Sequence, residues 1–150
     1  MKLIIKTILF WVLITSTAVF AELAKVKVNG LDIEYEMAGS GKHTVLLEAG
    51  GSAGLSDWDP VYKAITKHAK VIRYSRIGNG GSAQIKKNYN SEQYAAEALL
   101  LLKALKIDEP VVYVAHSYGA YIARAHQQAH LKTMTPYRTT FYVGHYPQNH

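Results

Sequence analysis

The feature that most constrains this chain is a short apolar run, Val111 to Val114, that leads directly into a turn and a helix. The turn is Ala115 to Gly119, with the sequence Ala-His-Ser-Tyr-Gly, and an apolar pattern of helical period follows it. A strand, a tight turn and a helix around a central serine are typical of a nucleophile site. Such a serine needs a base, and the base needs an orienting acid. From Pro110 to His150, however, the sequence contains no Asp or Glu.

The first 21 residues have the pattern of a secretory signal peptide. Lys2 and Lys6 come before an uncharged and mostly apolar stretch, Thr7 to Ala21, which ends on small or branched residues suited to cleavage. The alternative is an uncleaved membrane anchor, but a spanning helix usually needs about 18 or more apolar residues. We therefore expect residues 1–21 to be removed and the protein to be secreted or periplasmic, without a stable membrane anchor.

Composition excludes several functions for the remaining chain. It has no cysteine, and therefore no disulfide, no thiolate metal site and no thiol for a lipid anchor. Removing Lys2 and Lys6 from 17 basic residues leaves 15 against 11 acidic ones, a formal charge of +4. Apart from Lys86-Lys87 the basic residues are scattered, so we expect no nucleic-acid partner.

Hydrophobic periodicity predicts alternating strands and helices in a single α/β domain. Asn29-Gly30 is a turn dipeptide between two alternating segments and predicts a hairpin. Helices are predicted from Trp58 to Ala69, with Ser56 or Asp57 as N-cap; around Ala95 to Leu105, behind Ser91 as N-cap; and from Tyr118 to Ala129. The predicted strands are Val26 to Val28, Ile33 to Tyr35, Thr44 to Leu47, Lys70 to Tyr74 and Val111 to Val114.

This order of elements builds a hairpin followed by a mostly parallel sheet flanked by helices. Ligand chemistry in such sheets gathers at the carboxyl ends of the strands. Here those ends are Glu48 to Gly54, Ser75 to Ser82 and His116 to Gly119, and all three segments contain glycine and serine.

Residues 131–150 differ in composition from the rest, with a break near Ala129. Helical periodicity and acidic residues are absent there, and only Thr139 to Val143 resembles a strand. We therefore predict an irregular tail. Without further strands, Val111 to Val114 is a sheet edge unless Thr139 to Val143 covers it, and we expect self-association through an exposed sheet edge.

Small residues are needed on both sides of a serine in a strained turn, and Ala115 and Gly119 fill these positions. The Tyr118 N–H, at the start of the helix, is the first candidate to stabilise an oxyanion. The second candidate is the Gly51 N–H, in the glycine turn after the strand Thr44 to Leu47. The alternative for that segment is a plain flexible turn.

Three motifs together resemble the N-terminal half of the α/β-hydrolase family, which includes serine esterases, lipases and related acyl hydrolases. Ala115 to Gly119 is similar to the nucleophile elbow, and Glu48 to Trp58 resembles the oxyanion loop. Tyr74 to Ser82 resembles the family's Asp-Arg-x-Gly-x-Gly-x-Ser loop, with Ser75 in place of the Asp. The resemblance implies an α/β-hydrolase half over residues 22–130 that lacks the last strands.

The resemblance also implies Ser117 as the nucleophile and a small carboxylic ester or similar acyl compound as substrate. It disfavours family branches that use an Asp nucleophile. In the family the triad acid and histidine come well after the elbow, and no acid follows Ser117 here to orient His145 or His150. We therefore expect this chain alone to be inactive or very weak. Either it represents a serine hydrolase shortened by truncation or a shifted frame, or it is a non-catalytic half-fold that serves as a binding or assembly module.

Three other histidines are given no catalytic or metal-binding role, and His116 is interpreted as structural. His116 is adjacent to Ser117, but neighbouring residues at such a turn point in different directions. His126 and His130 have metal-ligand spacing on a helix, yet no Glu lies between them, so we expect solvated side chains. We predict no metal and no cofactor.

Overall fold

The computed structural model describes residues 22–87, 89–133 and 140–143. The strands are β1 (Glu22–Val28), β2 (Leu31–Ala38), β3 (Thr44–Glu48), β4 (Lys70–Tyr74), β5 (Val111–Ala115) and β6 (Thr140–Val143). The helices are α1 (Asp59–Ile65), α2 (Ser91–Ala104) and α3 (Gly119–Thr133), and a 3₁₀ turn (Leu55–Trp58) comes before α1.

These six strands form one mixed sheet in the order β1-β2-β4-β3-β5-β6. β1 pairs antiparallel with β2 and β2 with β4, whereas β3, β4, β5 and β6 are parallel. The β1–β2 turn has positive φ at both Asn29 (50°) and Gly30 (81°), which is the conformation that a two-residue hairpin of this hand requires. The predicted α/β class, with a hairpin before a mostly parallel sheet, is confirmed.

Each face of the sheet has its own core. On one face, Leu46, Ile72 and Tyr113 pack with Leu101 of α2 and Ala123 of α3. On the other face, strand residues pack around Trp58 of the 3₁₀ turn and Tyr62 of α1; these are Val45, Leu47 and Val71. Helices on both faces of parallel strands leave the carboxyl strand ends as the place where loops meet.

Two helices have boundaries that differ from the predicted ones. The N-cap of α2 is Asn90, not Ser91: the Asn90 side chain accepts from the Gln93 N–H, and the Gln93 side chain accepts from the Asn90 N–H. α1 ends at Ile65 rather than Ala69, and neither Ser56 nor Asp57 caps it.

β6 covers β5, which is the second of the two alternatives considered for that strand. Val112 to Ala115 pair in parallel with Thr140 to Val143. Of the predicted irregular tail, residues 131–133 belong to the end of α3 and 140–143 to β6. The rest of the tail and the predicted signal peptide lie outside the described residues. None of the described helices has both the length and the apolar character that a membrane-spanning helix needs.

Candidate active site

Ser117 lies at the sharp turn between β5 and α3, with its side chain exposed. Its φ is 51°, a left-handed conformation that costs energy for any residue with a Cβ and that clusters at functional sites. The turn is closed by hydrogen bonds from the Gly119 N–H to the His116 carbonyl (2.9 Å) and from the Ala120 N–H to the Ser117 carbonyl (3.0 Å). The backbone thus presents the serine away from the sheet.

Ala115 and Gly119, two positions before and two positions after Ser117, lie where a larger side chain would not fit. Ala115 is 2% exposed and pairs with Glu48 across the sheet. A Cβ at Gly119 would be 2.6 Å from the Ala49 carbonyl oxygen and 2.8 Å from that of Glu48, closer than real Cβ atoms approach. The elbow therefore packs directly on the backbone that leaves β3.

The loop after β3 carries the predicted oxyanion donor Gly51 and touches the elbow. A Cβ at Gly50 would be 3.3 Å from Ser117 Cβ, so glycine allows this close approach. A Cβ at Gly51 would have nothing within 4 Å, so the space beside it is open. Among the described residues, we find no hydrogen-bond acceptor for the N–H of Gly51 or of Tyr118.

Arg76 fixes the conformation of this loop, a role that the sequence motif alone did not show. Its side chain is 1% exposed and donates hydrogen bonds to the carbonyl oxygens of Ala49 (2.7 Å), Gly50 and Gly51. Three successive carbonyls bound to one planar cation leave the backbone little freedom. The position of the Gly51 N–H is thus set before any ligand arrives.

Glu48 lies directly below the elbow and neutralises Arg76. Its carboxylate is 2.5 Å from Arg76 Nη1 and accepts hydrogen bonds from the Tyr113 hydroxyl (2.7 Å) and the Tyr74 hydroxyl. Burial raises the pKa of Glu48, and the Arg76 charge opposes that rise. Because its carboxylate is engaged in this buried network, Glu48 supports the site from below.

Ser75, which stands where the family motif has Asp, lies against a carboxylate from the neighbouring strand. Ser75 Oγ donates to the Glu34 carboxylate at 2.7 Å and accepts from the Leu55 N–H at 3.1 Å. Glu34 also accepts from the Gly81 N–H at 2.9 Å. The loop after β4 therefore has its carboxylate, but β2 supplies it.

His116 joins the elbow to the oxyanion loop. Its Nε2 lies 3.1 Å from the Gly50 nitrogen and 3.0 Å from Asp57 Oδ2, and its ring packs edge-on against Trp58, with centroids 5.3 Å apart. These contacts agree with a structural role. Among the described residues, we find no hydrogen-bond partner for the Ser117 hydroxyl. His145 and His150 lie outside the described residues.

His126 is not solvated as expected. It is fully buried, with its ring centroid 4.9 Å from that of Tyr113, because this face of α3 packs on β5. The expectation failed because the four-residue spacing says nothing about which face of the helix meets the sheet. Among the described residues, no cluster of His, Asp or Glu could hold a metal ion.

Comparison with known proteins agrees with this geometry. Residues 43–130 match the family model for the alpha/beta hydrolase fold. The human serine hydrolase BPHL is 32% identical over 128 residues, which covers 80% of this chain and 44% of that protein. The non-heme haloperoxidase of Rhodococcus erythropolis is 31% identical over 102 residues, covering 64% and 36%.

A solved structure shows the same relationship. The enol-lactonase from Burkholderia xenovorans LB400 is 30% identical, with a TM-score of 0.64, over 68% of this chain and 40% of that one. The chain thus spans less than half the length of these relatives. The family model covers more than half of the chain, and the predicted resemblance is confirmed: the chain belongs to the α/β-hydrolase family.

Proposed function

We propose that this chain carries the nucleophile and oxyanion site of a serine hydrolase that acts on carboxylic esters or similar acyl substrates. The observation that carries the proposal is Ser117, exposed and held at φ 51° between β5 and α3. It lies beside a loop whose Gly51 N–H has no acceptor among the described residues. The acyl carbonyl carbon of a substrate can therefore approach Ser117 Oγ.

In the proposed reaction, Ser117 Oγ attacks the acyl carbonyl carbon and the carbonyl oxygen becomes an oxyanion. The N–H groups of Gly51 and Tyr118 stabilise that charge, assisted by the positive end of α3. Each donor of this kind contributes on the order of 100-fold or more to the rate. Arg76 contributes indirectly, because it holds the Gly51 N–H in place.

Full turnover also needs a base for the serine proton and an acid that orients the base. The described residues place neither against the Ser117 hydroxyl, and His116 is engaged with Gly50 and Asp57. We therefore expect the 150-residue chain to acylate slowly and to release the acyl group more slowly still. Residues of a triad act as a unit, so losing the base lowers the rate by several orders of magnitude.

A serine-directed fluorophosphonate probe, applied to the full chain, tests this proposal. We expect slow labelling of Ser117 that accumulates with incubation time, found by peptide mass spectrometry, and its loss in Ser117→Ala. Ser52→Ala is the matched control, because Ser52 is an exposed serine on the oxyanion loop, and it should label normally. A folded chain that is not labelled at Ser117 would contradict the proposal.

The second candidate is a non-catalytic binding or assembly module. The observation that favours it is the lack of a partner for the Ser117 hydroxyl among the described residues. The two functions predict different results with p-nitrophenyl acetate. A hydrolase site releases about one equivalent of p-nitrophenol per chain, and Ser117→Ala abolishes this release. A binding module releases p-nitrophenol no faster than Ser117→Ala does.

We also propose that the protein is exported after removal of residues 1–21. The support for this is the sequence pattern, in which Lys2 and Lys6 come before an uncharged, mostly apolar stretch that ends on small or branched residues. Expression with the native N-terminus in a bacterial host, followed by N-terminal sequencing of the exported protein, should give Glu22 as the first residue. Retention of Met1 in the exported fraction would contradict the proposal.

A further inference from the structure

A cavity that is separate from the candidate active site lies between the β1–β2 hairpin, the loop after β4, and α2. Its volume is about 210 Å³, below the roughly 300 Å³ at which drug-sized ligand sites begin. A ligand for it must therefore be small. Its walls are mostly apolar; the larger apolar side chains are Val28, Leu31, Ile33, Ile77, Tyr89 and Leu100.

Glu97 of α2 is the ionisable carboxyl group in this cavity, and the proposed reaction does not use it. It is 5% exposed, and its Oε1 accepts a hydrogen bond of 3.0 Å from the Ile77 N–H. That N–H is the donor we find for Glu97 among the described residues, and the described lining contains no Lys or Arg. A buried carboxyl with one neutral donor has capacity to accept more hydrogen bonds.

From this geometry we propose that the cavity binds a small apolar molecule carrying a protonated amine, with the ammonium group on the Glu97 carboxylate and the hydrocarbon part between the hairpin and α2. The Glu97 carboxylate favours a positively charged ligand. An anionic ligand would be repelled by Glu97, and the described lining contains no cation to compensate for that repulsion. An ammonium would supply charge-assisted hydrogen bonds to the carboxylate. The apolar walls supply the remaining affinity by burying hydrocarbon.

Protonation of Glu97 should oppose this binding. Burial raises its pKa to about 7; the Ile77 N–H lowers the pKa, the Glu48 charge raises it and the Arg76 charge lowers it. Tyr74 and Tyr94 also face Glu97, and both stay neutral because burial raises the pKa of each. Since only the ionised carboxylate attracts an ammonium, affinity should fall as the pH drops below about 7.

Benzylamine and benzyl alcohol form a matched pair of probes, equal in shape and different in charge. Titration of the full chain, followed by ¹⁵N amide shifts at Ile77 and in α2, should show benzylamine binding at about pH 8 at least tenfold more tightly than benzyl alcohol. Its affinity should drop about tenfold between pH 8 and pH 6. Equal affinity for the two probes, or no saturable shift with benzylamine, would overturn the proposal.

Glu97→Gln should remove the preference for benzylamine and leave benzyl alcohol binding unchanged. Glu92→Gln is the matched control, since Glu92 is an exposed glutamate on the same helix, and it should retain the preference. If Glu97→Gln fails to fold, Ala96→Trp tests the proposed site instead, because Ala96 is an exposed residue that lines the cavity. Undiminished benzylamine binding by folded Ala96→Trp would refute the site. None of these readouts depends on Ser117.

Discussion

The guanidinium of Arg76 and the carboxylate of Glu48 form a buried ion pair at 2.5 Å, with side-chain exposures of 1% and 0%. This pair lies below the elbow and behind the oxyanion loop, so it connects the stability of the sheet to the shape of the site. A charge at this depth is tolerated only because its partner and its hydrogen bonds are in place.

Replacing Arg76 with Met should destabilise the protein by about 3–5 kcal/mol, because Glu48 is left as a buried charge without its counter-ion. The double variant Arg76→Met, Glu48→Leu should be more stable than Arg76→Met alone, since no uncompensated charge remains. Urea unfolding followed by circular dichroism measures both. Additive losses in the double variant would show that the pair is not coupled.

Two glycines of the site should differ in how much stability the same change costs. Gly119→Ala places a Cβ 2.6 Å from the Ala49 carbonyl oxygen, so we expect a loss of about 2 kcal/mol or more and weaker fluorophosphonate labelling. Gly51→Ala points a Cβ into open space, so its effect on the free energy of unfolding should stay below about 1 kcal/mol. Thermal unfolding of the two variants under identical conditions provides the comparison. A larger loss for Gly51→Ala would mean that the loop packs differently.

Restoring the family's acidic residue should harm this chain. Ser75→Asp would place a second carboxylate against Glu34 in a buried position, and we expect a loss of about 2 kcal/mol or more from like-charge repulsion and desolvation. Adding Glu34→Gln should recover most of the loss, because one carboxylate again faces the loop. Urea unfolding of the single and double variants tests this. A stable Ser75→Asp single variant would contradict the assigned role of Glu34.

Glu97 should make stability depend on pH. Its pKa is raised from 4.5 to about 7, so between these values the folded state binds more protons than the unfolded state. Stability is therefore full below about pH 4.5 and falls as the pH rises through about 7, by on the order of 3 kcal/mol. Glu48 also has a raised pKa, so the informative quantity is the difference between wild type and Glu97→Gln across this range. A difference that does not change with pH would refute the assignment.

The elements that sequence predicted well are those with local causes. Asn29-Gly30 favours positive φ at both positions, and the short apolar runs become strands because they suit burial between helices. The role of Glu34 could not be predicted, because it depends on the pairing of Tyr35 with Tyr74, which places residue 34 beside residue 75. From the sequence, Arg76 could be recognised only as one residue of a motif. Its three carbonyl partners depend on how the loop after β4 packs on the loop after β3.

The contact between Ser75 and Glu34 has a consequence for recognising relatives. In this chain the acidic group of the loop after β4 comes from an adjacent strand, 41 positions before Ser75. A linear pattern that demands Asp before Arg76 would miss this chain, although a carboxylate holds the loop after β4 all the same. A search that accepts an acid at either position of the cross-strand pair would retain it.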